Sequence, residues 1–295
     1  MKLATIQGEG GARVALVDAE VGRVWPIAPP AWAPQPWGML DVIRGFRDLR
    51  DALRPEGPGI PLSEVTLLAP IPRPARNPMC VGKNYYDHAH EFTRSGFDSS
   101  AKGAADAVPE HPIIFTKVPE TVIGHGAPIP YPHGVSDQID YEVELVVVIG
   151  RGGTNIPKAQ AMEHVFGYTI ANDVTARDIQ ARHKQWFLGK SLDGFCPLGP
   201  WIVTADEVDL SDMSVRSWVN GELRQDSNTR DLIFDVPTLI ETMSRGITLH
   251  AGDLILTGTP AGVGLGFTPP KFLRPGDRVK MEIAGIGVLE NTLEG

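Results

Sequence analysis

Residues 139–149, Ile-Asp-Tyr-Glu-Val-Glu-Leu-Val-Val-Val-Ile, carry the clearest chemical signal in the chain. In a strand, side chains two apart share a face. Asp140, Glu142 and Glu144 therefore point one way, and Tyr141, Val143, Leu145 and Val147 point the other way into apolar packing. The second half is apolar on both faces, as expected of a strand deep in a sheet. Carboxylates crowded on one face repel, and burying each unpaired would cost several kcal/mol. Either Arg and Lys side chains meet them, on an edge strand with a solvated outer face, or a divalent cation does. Asp173 supports the cation: it follows the apolar run 166–171 at a strand-to-helix turn. Carboxylates without a paired His or Cys make a hard oxygen site, which suits Mg²⁺, Mn²⁺ or Ca²⁺ rather than Zn²⁺.

A second element is His88 with Glu91, three apart and so neighbours on one helical face. A carboxylate beside an imidazole can hold and deprotonate a water, although such spacing is more often a plain surface contact. Arg177 and Gln180 repeat that spacing on a helix that Thr175 can cap, and Lys190 follows in Gly189-Lys190-Ser191. Arg suits recognition of a substrate carboxylate, and Lys suits stabilisation of a developing enolate; helix-surface and loop cations are the plain alternative. Thr257-Gly258-Thr259-Pro260 follows an apolar strand. It offers hydroxyls and backbone N–H groups to an anion, or is an ordinary turn. Cys80 and Cys196 read as small buried residues, and His125, His133 and His250 have no recognisable partner. Neither a Gly-x-Ser-x-Gly elbow nor a P-loop is present.

The elements that must position these groups are short. The chain has 295 residues with 32 Gly and 26 Pro, which favours a turn-rich, strand-heavy fold over a helix bundle. Leu3–Ile6 and Val14–Val17 flank glycines and read as a hairpin. Met39, Ile43, Phe46 and Leu49 or Leu53 give a helical period. The Pro cluster at 70–78 suggests a boundary near residue 72, separating a small N-terminal domain (1–72) from a working domain (73–295). Residues 92–111 lack an apolar period and read as a mobile cover or a disordered loop. Residues 112–115 read as a buried strand, 157–166 as a helix with Pro at its first turn, and 168–171 as a short strand. Val215, Ser217 and Val219 alternate up to Asn220-Gly221, a hairpin signal. A short helix is expected over 235–245, with strands closing the chain.

The formal net charge of −9 argues against a nucleic-acid or anionic-membrane partner. No apolar run approaches the roughly 20 residues of a membrane span. The N-terminus lacks the layout of a secretory signal, and two cysteines make no disulfide framework. A soluble cytoplasmic protein is expected.

Taken together, the pieces resemble the fumarylacetoacetate hydrolase family. The matches are Gly82-Lys83-Asn84-Tyr85 with His88 and Glu91, Phe115-x-Lys117, Asp140-Tyr141-Glu142-x-Glu144, Asn172 to Asp178, Gly189-Lys190-Ser191 to Gly199-Pro200, and Thr257 to Pro260. They occur in family order over about residues 72–295. The resemblance implies an α+β, mainly β fold: a mixed β-sandwich roll with a small N-terminal domain. It also implies a homodimer, and a Mg²⁺ or Mn²⁺ site on Glu142, Glu144 and Asp173. Its water-activating dyad falls on His88 and Glu91, its enolate-stabilising cation on Lys190, and further substrate contacts on Arg177, Gln180 and Thr259. One departure is Lys83, where the fumarylacetoacetase branch has a further metal-binding Asp; water would fill that position, as in the acylpyruvase-like branch. Another is a longer segment between Glu91 and Pro112, where the family has a lid, placed here at about 88–111.

The activity this implies is hydrolysis of a C–C bond in a 2,4-dioxo acid, releasing pyruvate. The alternative is a decarboxylase or isomerase of a 2-oxo acid, of the oxaloacetate or 2-hydroxyhepta-2,4-diene-1,7-dioate type. A non-enzymatic protein keeping the site as a structural ion clamp is the third reading.

Overall fold

In the computed structural model, residues 1–31, 33, 37–98 and 106–295 are described. Of the expected cover at 88–111, residues 99–105 lie outside the described residues.

The strand Val143–Ile149 is the centre of a 12-stranded mixed sheet. It pairs antiparallel with Val165–Asn172 on one side and with Leu254–Leu256 on the other. All seven of its residues are buried. Alternation divides them between two cores. Leu145, Val147 and Ile149 join the core beneath a second, five-stranded sheet. Val146 and Val148 join Met39, Val42 and Ile43 of the helix Met39–Leu49 on the opposite face. A helix on one face and a sheet on the other explain why the segment is apolar at every position from Leu145 onward. Each such side chain contributes about 1.5–3 kcal/mol by leaving water.

The N-terminal hairpin forms as expected, from Lys2–Gly8 and Gly11–Asp18. Its first strand also pairs with Cys196–Thr204, so residues 1–8 extend the main sheet. That pairing spans some two hundred residues and leaves no local sequence trace.

Several local expectations need correction. The acidic strand is not continuous: Ile139–Asp140 pairs with Thr175–Ala176, and the ladder restarts at Val143. Residues 158–164 form a 3₁₀ segment rather than an α-helix, and the strand after it runs longer than expected, from Val165 to Asn172. Ile113–Thr116 is a strand, but it lies at the edge of the sheet, and Ile114 is exposed. Thr175 does not cap the following helix; its hydroxyl donates to the Asp173 carbonyl instead. The helix carrying Arg177 and Gln180 is short, Arg177–Arg182, and Lys190 lies on a separate turn of helix, Phe187–Lys190. Among the described residues no helix is long and apolar enough to cross a membrane.

Candidate active site

The acidic site sits where the central strand begins. Glu142 and Glu144 flank Val143, the first paired residue of that strand. Asp173 follows the neighbouring strand, and its N–H donates to the Glu142 carbonyl at 2.9 Å. That backbone bond brings Asp173 to Glu142, distant in sequence, at the start of the central strand. Carboxylate oxygens of Glu142, Glu144 and Asp173 all lie within 4.8 Å of one another, and all three residues are buried.

Cations surround this cluster. Lys190 Nζ bridges Glu142 Oε2 at 2.8 Å and Asp173 Oδ2 at 2.6 Å. Lys117 Nζ, with no solvent exposure, reaches Asp173 Oδ1 at 2.6 Å and the Val174 carbonyl at 3.1 Å. Arg177 pairs through Nε with Asp140 (2.8 Å) and through Nη2 with Glu142 (2.7 Å), and its Nη1 donates to Gln180 Oε1. Asp140 also accepts from the backbone N–H groups of Gly264 and Leu265. It therefore anchors Arg177 to that loop rather than joining the three-carboxylate cluster.

Basic side chains thus meet the acidic face, in a buried centre rather than on a solvated edge strand, and the charges decide whether a cation also fits. Four carboxylates (Asp140, Glu142, Glu144, Asp173) face three cations (Lys117, Arg177, Lys190). Burial alone would raise Glu142, but Lys190 and Arg177 outweigh it and hold that carboxyl down at about 2. Glu144 goes the other way. Burial raises its pKa well above the usual carboxylate range, and Asp173 and Glu142 raise it further. Among the described residues its hydrogen-bond donor is the Gly258 N–H, at 2.7 Å on Oε2. A buried carboxylate so repelled and so thinly solvated is what a divalent cation relieves, and an all-oxygen donor set suits Mg²⁺ or Mn²⁺. Gly258 makes this contact with φ +99°, where a Cβ would meet the Asn84 side chain at 2.7 Å. A side chain is excluded there on both counts.

His88 and Glu91 lie on the helix Tyr86–Arg94, with His88 Nδ1 3.1 Å from Glu91 Oε2. Glu91 also accepts the Gly262 N–H, at 3.0 Å on Oε1. The cavity beside the acidic cluster is lined by His88, Glu142, Glu144, Arg177, Gln180, Lys190 and Thr259, with Lys83, Val81, Gly82, Phe92, Phe115 and Trp186 as the remaining wall. Its enclosed interior is about 20 Å³, room for one water or one ion, so a substrate would also have to occupy its open side. Seven of the nine residues expected at the site line this cavity. Asp173 stands behind, with no exposed surface, reaching it through Lys190 and the shared carboxylate cluster. Glu91 is not among the lining residues; it is partly exposed, in contact with Gly262 and close against Gly266.

Sequence reasoning assigned no role to Lys117, Lys83 or Gln225. Lys83, at φ +57°, forms a buried pair with Asp98 at 2.7 Å. Gln225 is fully buried and binds Thr259. Lys117 did stand in a recognisable Phe115-x-Lys117 pattern; its partner, Asp173, is 56 positions away.

A mixed sheet that delivers a buried carboxylate cluster, a Lys and a His–Glu pair to one small cavity defines an enzyme of the fumarylacetoacetate hydrolase type. The chain belongs to that family: the family model described as fumarylacetoacetate hydrolase C-terminal matches residues 77–294. Among its relatives is the oxaloacetate tautomerase YisK of Bacillus subtilis (strain 168), 54% identical over 233 residues, or 79% of this chain and 74% of that protein. A fumarylacetoacetate hydrolase from Exiguobacterium antarcticum is 41% identical, with a TM-score of 0.82, over 100% of this chain and 99% of that one. The maleylpyruvate hydrolase of Sphingobium sp. SYK-6, solved with manganese(II) and pyruvate, is 31% identical, with a TM-score of 0.78, over 100% of this chain and 99% of that one. These relatives include both a tautomerase and hydrolases, so membership sets the site and not the reaction.

Proposed function

We propose that this protein is a divalent-cation-dependent keto–enol tautomerase acting on a small 2-oxo acid of the oxaloacetate type. This favours the isomerase alternative over C–C hydrolysis. The observation that carries it is the order of the His–Glu pair. His88 lines the cavity, while the Glu91 carboxylate is engaged by His88 Nδ1 and the Gly262 N–H. In the hydrolase reading the Glu91 carboxylate would activate a water. Here the carboxylate orients the imidazole and leaves Nε2 as the nitrogen for proton transfer. The 54% identity to an oxaloacetate tautomerase supports the same reading.

Glu142, Glu144 and Asp173 would hold the cation, Mg²⁺ or Mn²⁺, with the carboxylate oxygens they bring together. When bound, it supplies Lewis-acid polarisation of the substrate's oxygens. Arg177 and Gln180 bind the carboxylate, and Thr259 donates to a substrate oxygen. His88 removes a proton from carbon 3, the electron pair forms the C2–C3 double bond, and the former 2-oxo oxygen takes up a proton. The reverse sequence restores the keto form, so water and electrons are not consumed. Lys190 lends positive charge to that oxygen as it becomes anionic, where electrostatic stabilisation is worth most. Burial alone would lower the Lys190 pKa, but Asp173 and Glu142 outweigh it and raise it, so the ammonium form is kept. The proposal includes the homodimer, the cytoplasmic setting and a working domain beginning near residue 73.

The test follows oxaloacetate in Mg²⁺ buffer by enol absorbance and by pyruvate release together. Faster keto–enol equilibration without pyruvate supports the tautomerase. Pyruvate formed in step with oxaloacetate loss, or rapid cleavage of an acylpyruvate with no effect on enol decay, rejects it.

A further inference from the structure

Gln225 lies on the strand Glu222–Asn228 of the five-stranded sheet, next to none of the recognised site residues in sequence, and is fully buried. Its amide makes four hydrogen bonds. Nε2 donates to Thr259 Oγ1 at 2.7 Å and to the Pro260 carbonyl at 2.8 Å. Oε1 accepts from the Val143 N–H at 3.1 Å and from Ser217 Oγ at 2.8 Å. Two donors and two acceptors are thereby used up. The amide has one orientation: rotating it would set its NH₂ against the Val143 N–H and its oxygen against the Pro260 carbonyl.

That orientation reaches into the site at two points. Val143 stands between Glu142 and Glu144, so one side of the amide fixes the backbone joining them. The other side decides the polarity of Thr259. A threonine oxygen that accepts from an amide N–H keeps its own hydrogen for another acceptor. Thr259 lines the cavity and is only 2% exposed, so that acceptor must come from within.

We infer that Gln225 is a positioning residue that makes the Thr259 hydroxyl an obligate hydrogen-bond donor into the cavity, selecting an anionic or carbonyl oxygen of the ligand. The substrate class, a 2-oxo acid, rests on the function proposed above; the donor assignment rests on the amide geometry alone. The hydroxyl gives up one hydrogen bond to a charged oxygen if lost, a cost of about tenfold to a hundredfold in affinity.

Oxalate, a planar dianion presenting the oxygens of a 2-oxo acid, is the probe. Its binding is measured by calorimetry in Mg²⁺ buffer, independently of turnover. Thr259→Val should weaken oxalate by at least about tenfold, while Thr259→Ser, which keeps the hydroxyl, should stay within about threefold of the parent. Gln225→Glu preserves the acceptor for Val143 and Ser217, replaces the donors with a second acceptor oxygen and adds a charge, whose own repulsion of oxalate would show as a further loss in the double variant. It should weaken oxalate as Thr259→Val does, raise KM more than it lowers kcat, and add nothing further in the double variant. Normal affinity in Thr259→Val or in folded Gln225→Glu, equal losses in Ser and Val, or additive losses in the double variant would overturn the inference. Should Gln225→Glu not fold, a neutron map of the parent decides: the Thr259 deuterium points into the cavity, or, against the inference, towards Gln225. Oxalate binding that follows this pattern in a protein inactive on oxaloacetate would reject the tautomerase and leave this assignment standing.

Discussion

Replacing Lys117 with Met removes a cation that contacts no solvent and sits on the far side of Asp173 from the cavity. At 2.6 Å the gross attraction is about 6 kcal/mol for an effective dielectric constant near 20. Much of that offsets the cost of desolvating the lysine. What remains on truncation is the penalty of a buried carboxylate missing a partner, about 3–5 kcal/mol. The charge count sharpens the expectation. Counted with every carboxylate ionised, the buried cluster has four carboxylates against three cations, an excess of one negative charge without a divalent ion and two after the substitution, which proton uptake by Glu144 can offset only in part. With a divalent ion the substituted cluster is neutral. Lys117→Met should therefore lose about 3–5 kcal/mol in EDTA, on the order of 10 °C in Tm, and recover most of it with saturating Mn²⁺. The parent should gain less from Mn²⁺ than the variant does. Thermal unfolding of both proteins in EDTA and in Mn²⁺ is the assay. Equal losses with and without the ion, or a loss below about 1 kcal/mol in EDTA, would refute the charge argument.

Other consequences follow from the same geometry. Glu91→Gln should lower kcat by about 10²–10⁴-fold and leave Mn²⁺ affinity within about twofold, since Glu91 touches His88 and not the acidic cluster; loss of metal binding in calorimetry would contradict that placement. Burial pushes the Cys196 thiol up to about 12 and Cys80 well above its usual value, so both stay protonated at pH 8. A thiol-reactive chromogen should find neither until denaturant is added, and rapid labelling of the native protein would contradict this. A Cβ at Gly82 would lie 2.2 Å from the Trp186 ring, so Gly82→Ala should displace that indole from the cavity wall and shift its fluorescence to the red. An unchanged spectrum with unchanged KM would show the wall to be softer than its packing implies.

The site was legible where chemistry was written locally. Glu142 and Glu144 are two apart at the start of the central strand and His88 and Glu91 three apart on a helix, so each pair shares a side; Asp173 directly follows the neighbouring strand. The groups that hold them were not legible. Lys117 meets Asp173 across 56 positions and Gln225 meets Val143 across 82, and no periodicity records a contact of that range. Asp140 shows how a sound local rule fails. It shares its alternation with the two glutamates, yet the ladder breaks at Tyr141, and Asp140 serves Arg177 and the Gly264 loop. Thr175 failed as a cap for a related reason: it lies in a short bridge strand, and its hydroxyl serves the Asp173 turn. At the level of fold, alternation exposed the central strand. The joining of the first strand to Cys196–Thr204 depends on tertiary pairing and stayed hidden. The order of His88 and Glu91 relative to the cavity, which shifts the functional reading from hydrolysis to proton transfer, also depends on the remote Gly262 loop.

The measurement that bears most directly on this account is an anomalous difference map from crystals grown with Mn²⁺ and no chelator. The account predicts one strong peak bounded by the carboxylates of Glu142, Glu144 and Asp173. A featureless map at that point, with Lys190 and Lys117 alone neutralising the three acids, would contradict it.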